Sequence, residues 1–144
     1  MHETVEYFEL MEVALFTALS DAARAGLATP EGRASFNWAM DALDDIDTSR
    51  LDQIYTPLAT DPLTRDYVSR LDRQLHDVAT QIDVLRVHIA LALLNEPVDA
   101  GRLDRDLDHL VRHLRVRFKR EAALKPVFAG WLDRHDVSPI PLRP

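Results

Sequence analysis

Apolar residues along the chain recur at steps of three and four rather than two, which is the spacing of one face of an α-helix. Phe8, Met11, Leu15, Ala18, Leu19 and Ala22 form the first such row, predicting a helix from about Glu3 to Ala25 that stops at Gly26. Thr29, Pro30 and Glu31 have the character of an N-cap, a first helical residue and an acidic first turn, opening a second helix through Phe36, Ala39, Met40 and Leu43. The run Asp44-Asp45-Ile46-Asp47-Thr48-Ser49 is the weakest stretch for helix, because short polar side chains compete for backbone hydrogen bonds, and a break or kink is expected there. A turn or two of helix is expected to resume over 50–55 and to end near Pro57. Asp61-Pro62 opens the longest periodic run, in which Val68, Leu71, Leu75, Val78, Ile82, Leu85 and Ile89 form an unbroken seam up to Asn95. A fourth helix begins near Ala100 and carries Leu103, Leu107, Leu110, Leu114 and Phe118, with Pro126 kinking or restarting it before Val127, Phe128, Trp131 and Leu132. The expected fold is all-α, an up-down-up-down four-helix bundle over residues 1–136, followed by an extended, Pro-rich tail over 137–144.

Length and composition narrow the function more than the fold. A chain of 144 residues that is 47% hydrophobic can bury one core. Cysteine is absent, which excludes disulfides, thiolate zinc sites and thiol nucleophiles, so any metal would need His and carboxylate ligands. A net charge of -7 argues against a general nucleic-acid binder. No run approaches the roughly 18 apolar residues of a membrane span, and MHETVEYFEL lacks the basic and apolar regions of a signal peptide. The expectation is a cytoplasmic protein with no membrane and no nucleic-acid partner. There is no Gly-rich phosphate loop, no H-E-x-x-H and no G-x-S-x-G, so nucleotide-dependent and triad chemistry are unsupported. Trp38 and Trp131 lie at helical spacing among other apolar residues and read as packing.

Projected at about 100° per residue, the fourth helix places Arg117 and Glu121 in the middle of its apolar arc. Two unpaired charges there would cost several kcal/mol, so each requires a partner: the other, another buried polar group or a ligand. The alternative is a helix-end pair at the bundle rim, where an arginine can snorkel to solvent.

The surrounding residues resemble a known family. Leu107, Leu110, Leu114, Arg117, Phe118, Glu121, Leu124 and Pro126 resemble the last helix of hemerythrin-like (HHE cation-binding) domains, which carries His-x-x-x-Glu followed by an apolar residue and Pro. Asp52, Tyr55, Pro57 and Leu58 repeat the spacing of Glu121, Leu124, Pro126 and Val127 at a distance of 69 positions, and the likeness covers most of residues 5–132. The resemblance implies a four-helix bundle holding a non-haem di-iron centre with His and carboxylate ligands. The chain departs from that pattern at the ligands themselves. Arg117 stands where His precedes Glu121, Thr48 stands where His precedes Asp52, and the first helix offers only Glu9 or Glu12. His76 and His88 flank the seam of the long helix without lying on it. A guanidinium stays protonated and cannot ligate iron. The expectation is therefore a metal-free polar core of Arg117, Glu121, Asp52 and Glu12, with the arginine supplying the positive charge a metal would bring.

Other constellations carry less. Asp106, His109 and His113 have the spacing of a surface metal clamp, but boundary histidines explain them as well. Arg70 and His76 fit the permissive Arg-x(4–6)-His spacing of HEPN-type ribonucleases, with Leu71 in place of the usual polar residue. Arg112, Arg115 and Lys119 share an outward face; it reads either as a solvated stripe balanced by Asp104 and Asp108 or as a docking face for an acidic protein. Pro141 to Pro144 match PxxP only in a short tail.

Two functions follow as expectations. The first is a non-enzymatic, metal-free hemerythrin-like bundle serving as a protein-interaction or regulatory module, with a protein partner or a second copy of itself. Arg117, Phe118, Glu121 and Leu124 are also similar to the last helix of Rsd/AlgQ-type anti-sigma regulators, which bind a polymerase sigma factor. The second is a non-haem iron protein with an altered site drawn from Glu12, Asp52, His76, His88 and Glu121, binding oxygen or handling peroxide.

Overall fold

A computed structural model describes residues 2–50, 54–94, 100–124, 126–128 and 130, and all regular structure among them is helical. The elements are α1 (His2–Ala25), α2 (Pro30–Arg50), the short α3 (Thr56–Ala59), α4 (Arg65–Leu93) and α5 (Ala100–Ala122). None of the described helices is long and apolar enough to cross a membrane.

The α1–α2 hairpin is held by local chemistry. Gly26 takes a φ of +87°, the left-handed geometry that ends a helix, and its N–H returns to the Ala22 carbonyl at 2.8 Å. Three residues on, Thr29 Oγ1 accepts the Gly32 N–H at 3.0 Å and so caps the first turn of α2. The end of α1 and the start of α2 approach so closely that a Cβ on Gly32 would lie 1.9 Å from the Gly26 carbonyl oxygen.

Two expectations about boundaries need correction. α2 continues unbroken through 44–49. Ala42, Leu43 and Ile46 are buried there, while Asp44, Asp45 and Thr48 face outward, so burial of one face outweighs the poor helix propensity of the other. α4 begins at Arg65 rather than at Pro62, because the Asp61 carboxylate accepts the Leu63 N–H at 2.9 Å and Thr64 Oγ1 donates to the Leu58 carbonyl at 2.6 Å, forming a separate turn. α5 ends at Ala122, four residues before Pro126, where the proline ring would meet the helical carbonyl. Leu51–Gln53, Trp131, Leu132 and the tail 137–144 lie outside the described residues.

The buried apolar side chains form two clusters. The larger joins Leu15 and Leu19 of α1, Phe36, Leu43 and Ile46 of α2, Val78 and Leu85 of α4, and Leu107, Leu110 and Leu114 of α5. The smaller gathers Tyr55, Leu58, Val68, Leu71 and Leu124 at the end of the molecule formed by α3, the start of α4 and the residues after α5. Along α5 the two are separated by Arg117 and Glu121, since Leu114 and Phe118 belong to the first and Leu124 to the second.

Candidate functional site

A layer of charge fills the space between the clusters. Arg117 is only 1% exposed and Glu121 7%. The Arg117 guanidinium grips the Asp47 carboxylate of α2 through NH2, with a second, longer bond of 3.4 Å from NH1, and its Nε lies 3.6 Å from Glu121 Oε1. Nε itself is buried without a hydrogen bond. Arg50, three residues after Asp47 on α2, spans the layer: NH1 donates to Glu121 Oε1 at 2.9 Å and NH2 to Glu12 of α1. The Tyr55 hydroxyl donates to the other oxygen of Glu121. Both guanidinium carbons face the Phe118 ring, at 5.1 Å for Arg50 and 5.0 Å for Arg117, and Phe118 meets Phe16 edge to face at 5.7 Å between centroids. Three carboxylates, two guanidiniums and a phenol from α1, α2, α5 and the approach to α3 thus form one network.

Burial sets its protonation. The Asp47 carboxyl is pushed above the usual 3.8 by burial, which outweighs the Arg117 charge and hydrogen bond. Burial and the neighbouring Glu121 charge raise the Tyr55 phenol far above its ordinary range, so it stays protonated and serves as a donor. Burial opposes the charge of Arg117, but Glu121 and Asp47 outweigh it and raise the guanidinium further, keeping it a permanent cation.

The raised Asp47 pKa has a signed consequence. Between 3.8 and its folded value the folded chain holds a proton that the unfolded chain has lost, so Asp47's contribution to stability is present at acid pH and is lost as pH rises through that window. Asp47→Asn keeps an acceptor for Arg117 and removes the titration. The stability of the original chain relative to this variant is expected to fall as pH climbs from about 4 and then to level off, read from urea midpoints across pH. A relative gain with rising pH would mean that pairing with Arg117 wins over burial.

The donor set of the layer does not suit an iron centre. Each of its carboxylates is engaged by a guanidinium, the remaining polar group is a phenol, and no histidine reaches it among the described residues. No group of three or more His, Asp or Glu able to hold a metal occurs among those residues. Of the set Glu12, Asp52, His76, His88 and Glu121, the two glutamates meet at Arg50 while the two histidines stay away from them, and Asp52 lies outside the described residues. His76 is 78% exposed and its Nδ1 donates to the Asp72 carbonyl of its own helix at 2.9 Å. His88 Nδ1 meets Asp106 of α5 at 2.8 Å, and Asp106 stands fifteen residues from Glu121, or about 22 Å of helix. That pairing also takes Asp106 away from His109, which instead stacks edge-on against His113 at 4.6 Å; Gln81 donates to His113 Nδ1 at 2.7 Å.

The outward stripe of α5 divides by partner. Arg112 pairs with Asp108 at 2.5 Å, Arg115 lies over the Phe16 ring at 4.4 Å, and Lys119 is exposed. Arg115 therefore reaches across to α1.

The partners of Arg117 differ in part from those expected. Asp47 takes the main contact, Glu121 is secondary, and Glu12 belongs to Arg50. Asp47, Arg50 and Tyr55 were not among the expected core residues. The expected break over 44–49 hid the first two, although Asp47 falls four residues after Leu43 and Arg50 four after Ile46, on the buried face of an uninterrupted helix. Comparisons with family models, with curated proteins and with solved structures return no match to this chain.

Proposed function

We propose that this chain is a metal-free bundle of hemerythrin-like design, with α1, α2, α4 and α5 running up, down, up and down, and that it acts in the cytoplasm as a protein-interaction or regulatory module rather than as an enzyme. The observation that carries this reading is the Arg117 guanidinium, buried between Asp47 and Glu121 at the level where the resemblance would put a cation. A second guanidinium, Arg50, bridges Glu121 to Glu12 of α1. Carboxylates engaged in this way are poor metal ligands, because a bound ion would set a second cation beside a buried guanidinium. The short hairpin at Gly26–Thr29 and the contribution of each long helix to one apolar cluster support the bundle topology.

The reading is tested on untagged protein produced in medium supplemented with iron and manganese. Elemental analysis is expected to find far less than one ion per chain, and the near-ultraviolet spectrum to show only aromatic absorption. Stoichiometric iron, with an absorption band lost on chelation, would replace this reading by that of an oxygen-binding or peroxide-handling metalloprotein.

A further inference from the structure

A cleft of about 470 Å³ runs between α1 and α5, lined by Glu12, Val13, Phe16, Thr17, Ser20 and Arg24 of α1 and by Arg115 of α5. Its apolar side is open to solvent. Val13 is 64% exposed, and Leu10, three residues earlier on the same helix, is 69% exposed. These two side chains make an exposed apolar strip that runs up to the Phe16 ring, which is partly covered by the Arg115 guanidinium. Monomeric proteins seldom leave such strips bare unless they meet a partner.

The opposite edge is basic. Residues 112–120 hold five cations and no acid in a chain whose net charge is -7. Arg117 is turned inward onto Asp47, which leaves Arg112, Arg115, Lys119 and Arg120 at the surface. Arg112 is neutralised by Asp108, whereas no carboxylate pairs with Arg115 or Lys119 among the described residues. Arg115 is preplaced: stacking on Phe16 holds its guanidinium at the lip of the cleft, at reduced entropic cost for further bonding. Lys119 stands one turn further along the same face of α5.

An apolar strip flanked on one side by unpaired cations complements one kind of ligand. We infer that the α1–α5 cleft docks an amphipathic helix of a protein partner, whose apolar face covers Leu10, Val13 and Phe16 and whose acidic flank meets Arg115 and Lys119. The two cations set the orientation and the salt dependence, and the strip supplies the apolar burial.

This inference rests on the reading of the chain as an interaction module, and its test is independent of metal content. The probe is a fluorescent synthetic helix with leucines at i, i+3, i+4 and i+7 and glutamates along one flank, compared with the same peptide carrying lysine for every glutamate. Anisotropy titrations of the full chain are expected to show saturable binding of the acidic peptide only, weakening as salt rises. Amide shifts in two-dimensional NMR are expected to concentrate on 10–20 and 112–119. Combined Arg115→Glu and Lys119→Glu substitution is expected to weaken binding by about tenfold or more. Val13→Asp, at an exposed site where folding should be unaffected, should do likewise with an unchanged melting temperature. Equal binding of the basic peptide, no binding of either, shifts on the exposed Val84 and Val87 of α4 instead, or a concentration-dependent dimer protecting this cleft would each overturn the assignment. Metal-free protein that binds neither peptide removes the docking site and leaves the reading of the core intact, whereas an iron-loaded protein removes the reading itself.

Discussion

Arg117→Leu is expected to lower the unfolding free energy by about 3 to 5 kcal/mol, the range seen when one member of a buried charge network is removed. The loss comes chiefly from what stays behind. Asp47 and Glu121 lose the guanidinium between them, and Glu121, at 7% exposure, cannot recover by turning into water. A domain of this size has about 5 to 15 kcal/mol of stability in total, so the variant should unfold at a much lower urea midpoint with a similar slope. Arg112→Leu provides the comparison, because that arginine is exposed and paired only with Asp108 on its own helix, a contact expected to contribute about 0.5 kcal/mol or less. If Arg117→Leu does not fold, Arg117→Lys keeps the charge but not the fork that reaches two carboxylates, and an intermediate loss is expected. Equal effects at positions 112 and 117 would contradict the burial on which the site is built.

The second large effect runs in the opposite direction. Replacing the layer as a unit, with Asp47→Leu, Arg50→Met, Tyr55→Phe, Arg117→Leu and Glu121→Leu together, is expected to recover the whole loss of the single variant and to equal or exceed the original chain by about 1 to 4 kcal/mol. Glu12, a quarter exposed, can then turn to solvent. The physical reason is that two guanidiniums and three carboxylates were taken out of water to build the network, and their mutual attraction roughly returns that desolvation without adding to it. The five positions touch one another, so their effects cannot add, and the difference between the sum of the single losses and the combined result measures the coupling. Urea titration of the combined variant decides the matter. A protein less stable than Arg117→Leu alone would show that the ion network is itself a main source of stability.

Particular residues show how far periodicity reaches. Arg117 and Glu121 were legible as charges on an apolar face because α5 repeats its apolar positions from Leu103 to Phe118 without a gap, whereas burial and a place at the rim stayed open until the helices packed. The cap at Thr29 and the stop at Gly26 were equally legible, since each depends on residues within one turn. Asp47 and Arg50 were missed because the short polar side chains of 44–49 suggested a broken helix, and local propensity is a weak guide where Leu43 and Ile46 are driven inward by the rest of the core. Tyr55 was legible only as the position that matches Leu124 in the repeated spacing, and nothing nearby in the chain signalled that its hydroxyl meets Glu121.

The linear order of residues was enough to establish an all-helical chain, the ends of several helices, and the presence of an arginine and a glutamate on an apolar face. It could do so because capping and amphipathic spacing are properties of a single helix. Which carboxylate faces which guanidinium, which histidines are kept apart, and which basic residue crosses to Phe16 were decided only when the helices packed. Those pairings depend on the rotation and register of one helix against another, set by the combined fit of two apolar clusters, and a separation of 70 residues such as that between Asp47 and Arg117 leaves no local trace.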